Sequence, residues 1–133
     1  MHPVEQAIWL VESRLGRELG VAELSREIGL SRFHIARLFA DITGRTLSGY
    51  LRGRRLTEAA RVLANGAPDV LSVALAAGYG SHKAFTRAFR GQFGTTPERV
   101  RRERDLTGLQ LVEPIRMNAP QRIPLASPTV QSG

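Results

Sequence analysis

Two arginines, Arg37 and Arg87, hold equivalent places in two copies of one pattern. Aligning Ser81 on Ser31 pairs Phe85 with Ile35, Arg87 with Arg37, Phe89 with Phe39, Gly94 with Gly44 and Thr96 with Thr46. A guanidinium is a planar fork of donors that fits phosphate oxygens, or the O6/N7 edge of guanine, with two parallel hydrogen bonds. Taken singly, each arginine reads as a solvated surface residue. Their equivalence in two copies, each a few residues after a serine, argues for a shared role. Bond-breaking chemistry has no such basis. The histidines, His2, His34 and His82, share no ligand spacing with a carboxylate, and there is no cysteine, Ser-His-Asp set or phosphate-binding glycine loop. No catalytic residue, metal or cofactor is therefore expected.

Charge narrows the partner. The chain has 133 residues, 19 Lys and Arg against 12 Asp and Glu, a net charge of +7 and a pI near 11.3. The balance is uneven: residues 31–104 hold thirteen arginines, one lysine and five acids, whereas residues 1–30 hold three arginines and five glutamates. A small, strongly basic protein points to a polyanion, either nucleic acid or an anionic membrane surface. No apolar run reaches the roughly 18–20 residues of a membrane span. The N-terminus MHPVEQAIWLVE has neither a basic n-region nor a small-residue cleavage site, so no secretory signal is visible. The lack of cysteine fits a reducing compartment.

The elements that must position these arginines read as helices. Pro3 to Leu15 carries an apolar stripe of Val4, Ala7, Ile8, Val11 and Leu15, with Trp9 beside it as partly buried core. A second helix over about Val21–Ile28 ends at Gly29, where φ > 0 is needed. Ser31 then caps a third helix, Arg32–Thr43. It is expected to bury Ile35, Leu38, Phe39 and Ile42, leaving Arg32, Phe33, Ala36 and Arg37 on the other side. Phe33 has two readings, packing on the second helix or, with nucleic acid as the partner, lying against DNA sugars. A long helix over Leu47–Ala64 presents Arg52, Arg54, Arg55 and Arg61 as a solvated face, and Gly53 weakens it by about 1 kcal/mol relative to alanine. Asp69 caps a fifth helix, Val70–Ala77, and Gly78-Tyr79-Gly80 turns the chain. Ser81 caps a sixth, His82–Phe93, which buries Phe85, Ala88, Phe89 and Phe93. Thr95 or Thr96 caps a last helix from Pro97 to about Arg104. From Asp105 the stretch holds four of the seven prolines and no helical periodicity. It reads as an extended or disordered tail, or a linker to something longer.

A short helix, a glycine turn and a second amphipathic helix form the pattern of a helix-turn-helix. Leu24, Gly29, Leu30 and Ile35 carry it in the first copy, and Val73, Gly78, Tyr79 and Phe85 in the second. The segments SRFHIARLF, GRTLSGYLRGRRLTEAA and GYGSHKAFTRAFRGQFGTTPERVRR together resemble the DNA-binding domain of the AraC/XylS family of bacterial transcription regulators, over about residues 4–104. The resemblance implies an all-α domain of about seven helices built from two homeodomain-like units. The first helix-turn-helix spans about 4–46, a linker helix about 47–64 and the second unit about 69–104, with 105–133 as a tail or a linker to an absent effector domain.

The same resemblance implies that the third and sixth helices enter successive major grooves, roughly 34–36 Å apart. Bases would be read by Arg32, Phe33, Ala36 and Arg37 in one and by His82, Lys83, Thr86 and Arg87 in the other. Phe33 stands where the family often has Trp. Ala36 replaces longer polar residues, His82 and Lys83 replace uncharged amides, and Val100 replaces an aromatic, which would loosen packing in the last helix. Phosphates would be held by Ser31, Thr46, Ser81 and Thr96 at helix starts, with Arg45 and Arg90 nearby. The expected protein is a sequence-specific double-stranded DNA-binding regulator and not an enzyme. It would be cytoplasmic and nucleoid-associated, monomeric on DNA, without a membrane partner, and an activator acting through RNA polymerase.

Two rival readings remain. One is a sensor lacking its C-terminal effector-binding domain, since LQLVEPIRM resembles the lead-in to such a domain. The other is a basic helical module that meets an acidic protein. A DNA alkyl-transfer repair regulator would need nucleophilic cysteines, which the chain lacks.

Overall fold

The computed structural model describes residues 1–17 and 19–116. Seven α-helices follow one another: α1 Pro3–Ser13, α2 Val21–Ile28, α3 Arg32–Thr43, α4 Leu47–Ala64, α5 Val70–Ala76, α6 His82–Phe93 and α7 Pro97–Glu103, with no strand among the described residues. Local chemistry sets most of the boundaries. His2 and Glu5 form a reciprocal capping box on α1, with His2 Nδ1 accepting from the Val4 N–H at 3.0 Å and Glu5 Oε1 accepting from the His2 N–H at 3.0 Å. Such a cap satisfies donors that the first helical turn leaves without intrahelical partners. α1 stops two residues short of the expected Leu15. Arg14 leaves the helical conformation (φ −131°) and pairs with Glu27 of α2. Leu15 still packs on the core. α5 likewise ends one residue early, at Ala76.

The apolar residues form two cores that share α4. Val4, Ala7, Leu10 and Val11 of α1, Leu24 of α2, and Ile35 and Phe39 of α3 pack with Leu47, Tyr50 and Leu51 from the N-terminal half of α4. Leu56, Ala59, Ala60 and Leu63 from its C-terminal half pack with Val70, Val73, Ala74, Phe85, Phe89 and Val100. Val100, expected to loosen α7, is fully enclosed in this second core. An aromatic file reinforces it: Tyr79–Phe85, Phe85–Phe89 and Phe89–Phe93 have ring centroids 5.5, 5.6 and 4.8 Å apart. Each such pair adds about 0.5–1.5 kcal/mol beyond its buried area. Ala88 and Phe93, expected inside, are partly buried at its edge.

Three expectations about burial are corrected. Trp9 is 60% exposed. At 3.6 residues per turn it falls opposite the Val4–Val11 stripe, not beside it. Ile42 is 48% exposed, because the α3 contact with the core ends at Phe39, one turn earlier. The arginines of α4 do not form a solvated face. Arg52 is exposed, but Arg55 donates to the Leu19 carbonyl at 3.1 Å and to that of Arg17, and Arg61 pairs with Glu58 at 2.6 Å and with Glu113.

Arg54 is only 1% exposed. Its Nε and Nη2 meet the two oxygens of Glu12 at 2.9 and 2.6 Å, Nη2 also reaches Glu58 at 3.0 Å, and Nη1 donates to the Val112 carbonyl at 2.6 Å. Burial alone would lower its pKa. The hydrogen bonds and charge of Glu12, then of Glu58, outweigh burial and leave the pKa above the ordinary value, so the group stays charged.

The stretch after α7 has no helix or strand over 105–116, yet it is fastened along its length. Leu106 and Leu109 pack on the second core, and Val112 and Ile115 on the first. The Val112 N–H donates to Thr57 Oγ1 at 2.8 Å and the Ile115 N–H to the Tyr50 hydroxyl at 2.9 Å. Residues 117–133 of the expected tail lie outside the described residues.

Candidate nucleic-acid interface

α3 and α6 are built alike, residue for residue. The N-cap hydroxyls of Ser31 and Ser81 each accept a backbone N–H three residues on, from His34 and Ala84, at 3.1 Å. Both helices are closed by a left-handed glycine, Gly44 (φ 75°, ψ 11°) and Gly94 (φ 72°, ψ 11°), whose N–H donates back to Ala40 and Arg90 at 2.8 Å. Between these caps the order of burial is the same in both. Ile35 and Phe85, then Phe39 and Phe89, are fully enclosed. Residues 31–34, 37 and 40 are exposed in the first copy, as are 81–84, 87 and 90 in the second, and 36, 38, 86 and 88 are half-buried. The approach differs: Gly29-Leu30 precedes Ser31, whereas Gly78-Tyr79-Gly80 precedes Ser81.

Every residue expected to read bases therefore lies on the outer side of its helix. Arg32, Phe33, Arg37, His82, Lys83 and Arg87 are exposed, and Ala36 and Thr86 half-buried. Phe33 is 83% exposed, so it does not pack on α2. Of the residues expected to hold phosphate, Ser31, Arg45, Thr46, Ser81 and Arg90 are exposed and Thr96 half-buried. Thr46 and Thr96 cap α4 and α7, accepting from the Gly49 and Arg99 N–H groups at 3.1 and 3.2 Å. A hydroxyl that accepts in this way keeps its own proton to donate. The Arg45 guanidinium lies 5.9 Å from the centre of the Tyr50 ring, a cation–π distance that orients it. Arg45 and Thr46 from the first unit and Gln92 from α6 line one open depression of 330 Å³, floored by Gly49, Tyr50 and Val112. The C-terminal ends of the two exposed helices thus approach each other across α4.

Charge is distributed to match. Arg14, Arg54, Arg61 and Arg99 are each neutralised by a carboxylate, and Arg101 of α7 is bonded to the Ala67 carbonyl at 2.8 Å. Among the described residues, Arg32, Arg37, Lys83, Arg87 and Arg90 have no such partner. Both α3 and α6 thus present basic side chains without a carboxylate partner among the described residues, and Arg45 and Arg52 near them have none either.

One neighbour of this surface escapes the sequence reading. Glu98 Oε2 lies 2.8 Å from His82 Nε2, so the first turn of α7 holds a side chain of α6. An acid in a first helical turn reads as an ordinary partner of the helix dipole, which hides this second role.

Two like units, each presenting the outer side of its second helix from a common helix, define a tandem helix-turn-helix DNA-binding protein. The helix-turn-helix domain family matches residues 24–103. Transcriptional regulator Rob of Salmonella typhimurium is 36% identical over 110 residues, which cover 83% of this chain and 38% of Rob. The chain thus spans well under half the length of that relative. Regulatory protein SoxS of Escherichia coli K12 is 31% identical over 98 residues, covering 74% of this chain and 92% of SoxS. Among solved structures, the DNA-binding domain of the global transcriptional factor AdpA, in complex with a target DNA, superposes with a TM-score of 0.70 at 28% identity, covering 77% of this chain and 93% of that one. The chain belongs to the AraC/XylS family of DNA-binding transcription regulators.

Proposed function

We propose that this protein reads double-stranded DNA by placing α3 and α6 in successive major grooves. Arg37 and Arg87 would each read guanine. Arg32, Phe33 and Ala36 would complete the first reading surface, and His82, Lys83 and Thr86 the second. Ser31, Arg45, Thr46, Ser81, Arg90 and Thr96 would fix register on phosphates without carrying sequence information. The observation that carries this reading is the identical order of exposure along α3 and α6, with Arg37 and Arg87, which have no carboxylate partner among the described residues, at the equivalent point of each. The AdpA domain, whose structure holds a target DNA, supports DNA binding by likeness of fold and sequence. Grooves one helical turn apart require the shared helix to set the spacing or the duplex to bend, and a bend costs about 1–6 kcal/mol, which itself confers sequence preference.

On this reading the protein acts by binding, without catalysis, as a monomer on an asymmetric site in the cytoplasm, associated with the nucleoid. It would activate transcription through contact with RNA polymerase. In vitro selection of bound sequences tests the reading, with a motif of two parts on one face of the duplex as the expected result. Arg37→Ala is expected to lose ~1–3 kcal/mol of binding and to relax preference at one base. An unchanged affinity of Arg37→Ala for the selected site would refute its base-reading role. A basic module for acidic proteins would instead select no motif and show no steep loss of DNA affinity with salt.

A further inference from the structure

We infer that residues 105–116 form a strap that sets the relative orientation of the two reading helices, with Gly53, Arg54, Thr57 and Val112 as its positioning residues. The strap lies outside the segment matched by the family, which ends at residue 103. The inference rests on the proposed DNA reading for its consequence, though not for its geometry.

The two cores share α4, and the seam falls between Leu51, which belongs to the first, and Leu56, which belongs to the second; away from α4, Gly16 of the first unit also approaches the Ala76 carbonyl of the second. Gly53 lies in that seam. After proline, glycine supports a helix least, so the shared helix is weakened where its stiffness decides how the two heads are set. The strap is fastened at this same point. Val112 seats on Gly53 so closely that a Cβ there would lie 2.6 Å from Val112 Cγ2. The Val112 N–H is taken by Thr57 Oγ1, on the second-core side of the seam, and its carbonyl by Arg54. Arg54 also holds Glu12 of α1, so one buried guanidinium joins the first unit, the shared helix and the strap.

Beyond the seam the strap is anchored on both sides. Leu106 and Leu109 pack on the second core, Ile115 packs on the first, and Glu113 pairs with Arg61. A bend or twist at Gly53 has to break these contacts together. Two binding heads on one body gain from each other only when their separation and orientation match the two sites. A strap that fixes this geometry therefore raises two-site affinity and makes it depend on site spacing, while leaving each head's own contacts unchanged.

The test exchanges side-chain volume across the seam in the full chain. Gly53→Ala puts a methyl group into Val112 and unseats the strap while favouring the helix itself. Val112→Gly leaves α4 untouched and empties the seat. The double variant G53A/V112G refills it from the other side. Because the protein has no cysteine, Ala40→Cys and Gly91→Cys place one spin label on α3 and one on α6, both at exposed positions. Pulsed dipolar spectroscopy without DNA is expected to show one narrow distance distribution in the parent, broad ones in both single variants, and a narrow one again in the double variant. With the selected DNA, each single variant is expected to bind the two-part site about tenfold more weakly, to bind a site with one half scrambled as the parent does, and to lose the penalty for one inserted base pair. Distance distributions left narrow in both single variants would overturn the inference, whatever DNA does. Equal losses on the two-part and half-scrambled sites would also overturn it, because the strap would then serve only to keep the heads folded. Broad distributions together with the absence of any selected motif would refute the DNA reading and leave the strap standing.

Discussion

His82 comes to the interface already engaged. Its Nε2 is held by Glu98 at 2.8 Å, and its Nδ1 lies 3.5 Å from Thr86 Oγ1, at the limit of a hydrogen bond. The imidazole is therefore oriented from α7, and on the proposed reading the groups it would offer a base are set by Glu98. Lys83 and Arg87, with no carboxylate beside them, reach outward without such a guide. Glu98→Ala is expected to change the preferred base at the position His82 reads and to leave the one read by Arg87 as it was. Parallel selection of bound sequences for parent and variant measures this. A variant motif identical at every position would show that Glu98 does not orient the reading surface. Removal of a carboxylate from this surface is also expected to strengthen binding to random DNA at low salt, since on the proposed reading that charge would lie near the phosphates.

At the scale of the element, three glycines show two different physical needs. Gly44 and Gly94 have positive φ, and nothing lies within 4 Å of the place a Cβ would take. Alanine at either is expected to cost about 1–2 kcal/mol purely through backbone strain, and to cost the same in both copies, as urea unfolding of the two variants would measure. A clear inequality would show that one copy ends its recognition helix by another means. Gly53 is helical and buried, and only packing excludes a larger residue there.

These two needs separate what was legible in the chain from what was not. Ser31, Gly44, Ser81 and Gly94 act on partners three or four residues away, so their spacing revealed α3 and α6 with both ends correct. The outward placement of Arg32, Phe33, Arg37, His82, Lys83 and Arg87 followed from that phase. Gly53 looked like a mere weakness because its partner, Val112, lies in a stretch without periodicity. Arg54 looked solvated because Glu12 and the Val112 carbonyl are 42 and 58 residues away in sequence. Trp9 and Ile42 were misjudged for a related reason. An apolar residue is buried only where another element arrives to cover it, and neither the far side of α1 nor the last turn of α3 is covered.

For the whole molecule, what matters is where positive charge is left uncompensated. The net charge of +7 alone says little, because several arginines are consumed internally: Arg54 at the seam, Arg61 on the strap, Arg14 between α1 and α2 and Arg101 on the carbonyl after α4. Arg32 and Arg37 of α3 and Lys83, Arg87 and Arg90 of α6 have no carboxylate partner among the described residues, and on the proposed reading they would displace counterions from a duplex. The logarithm of affinity should therefore fall linearly with the logarithm of salt concentration, with a slope of about −0.9 per phosphate neutralised. The two kinds of arginine then separate by experiment. Arg45→Ala or Arg90→Ala is expected to shallow that slope by about 1 and to weaken selected and random DNA alike. Arg37→Ala or Arg87→Ala is expected to narrow the gap between selected and random DNA, because a guanine contact contributes to one and not the other. Arg61→Ala, which removes an arginine turned toward Glu58 and Glu113, is expected to leave the slope unchanged, even though it lowers the net charge as much as the others do. Salt titrations on one selected and one random duplex measure all five variants. A slope that followed net charge alone, falling equally for Arg61→Ala and Arg90→Ala, would mean that DNA senses the molecule as a diffuse cation and not through the two helices.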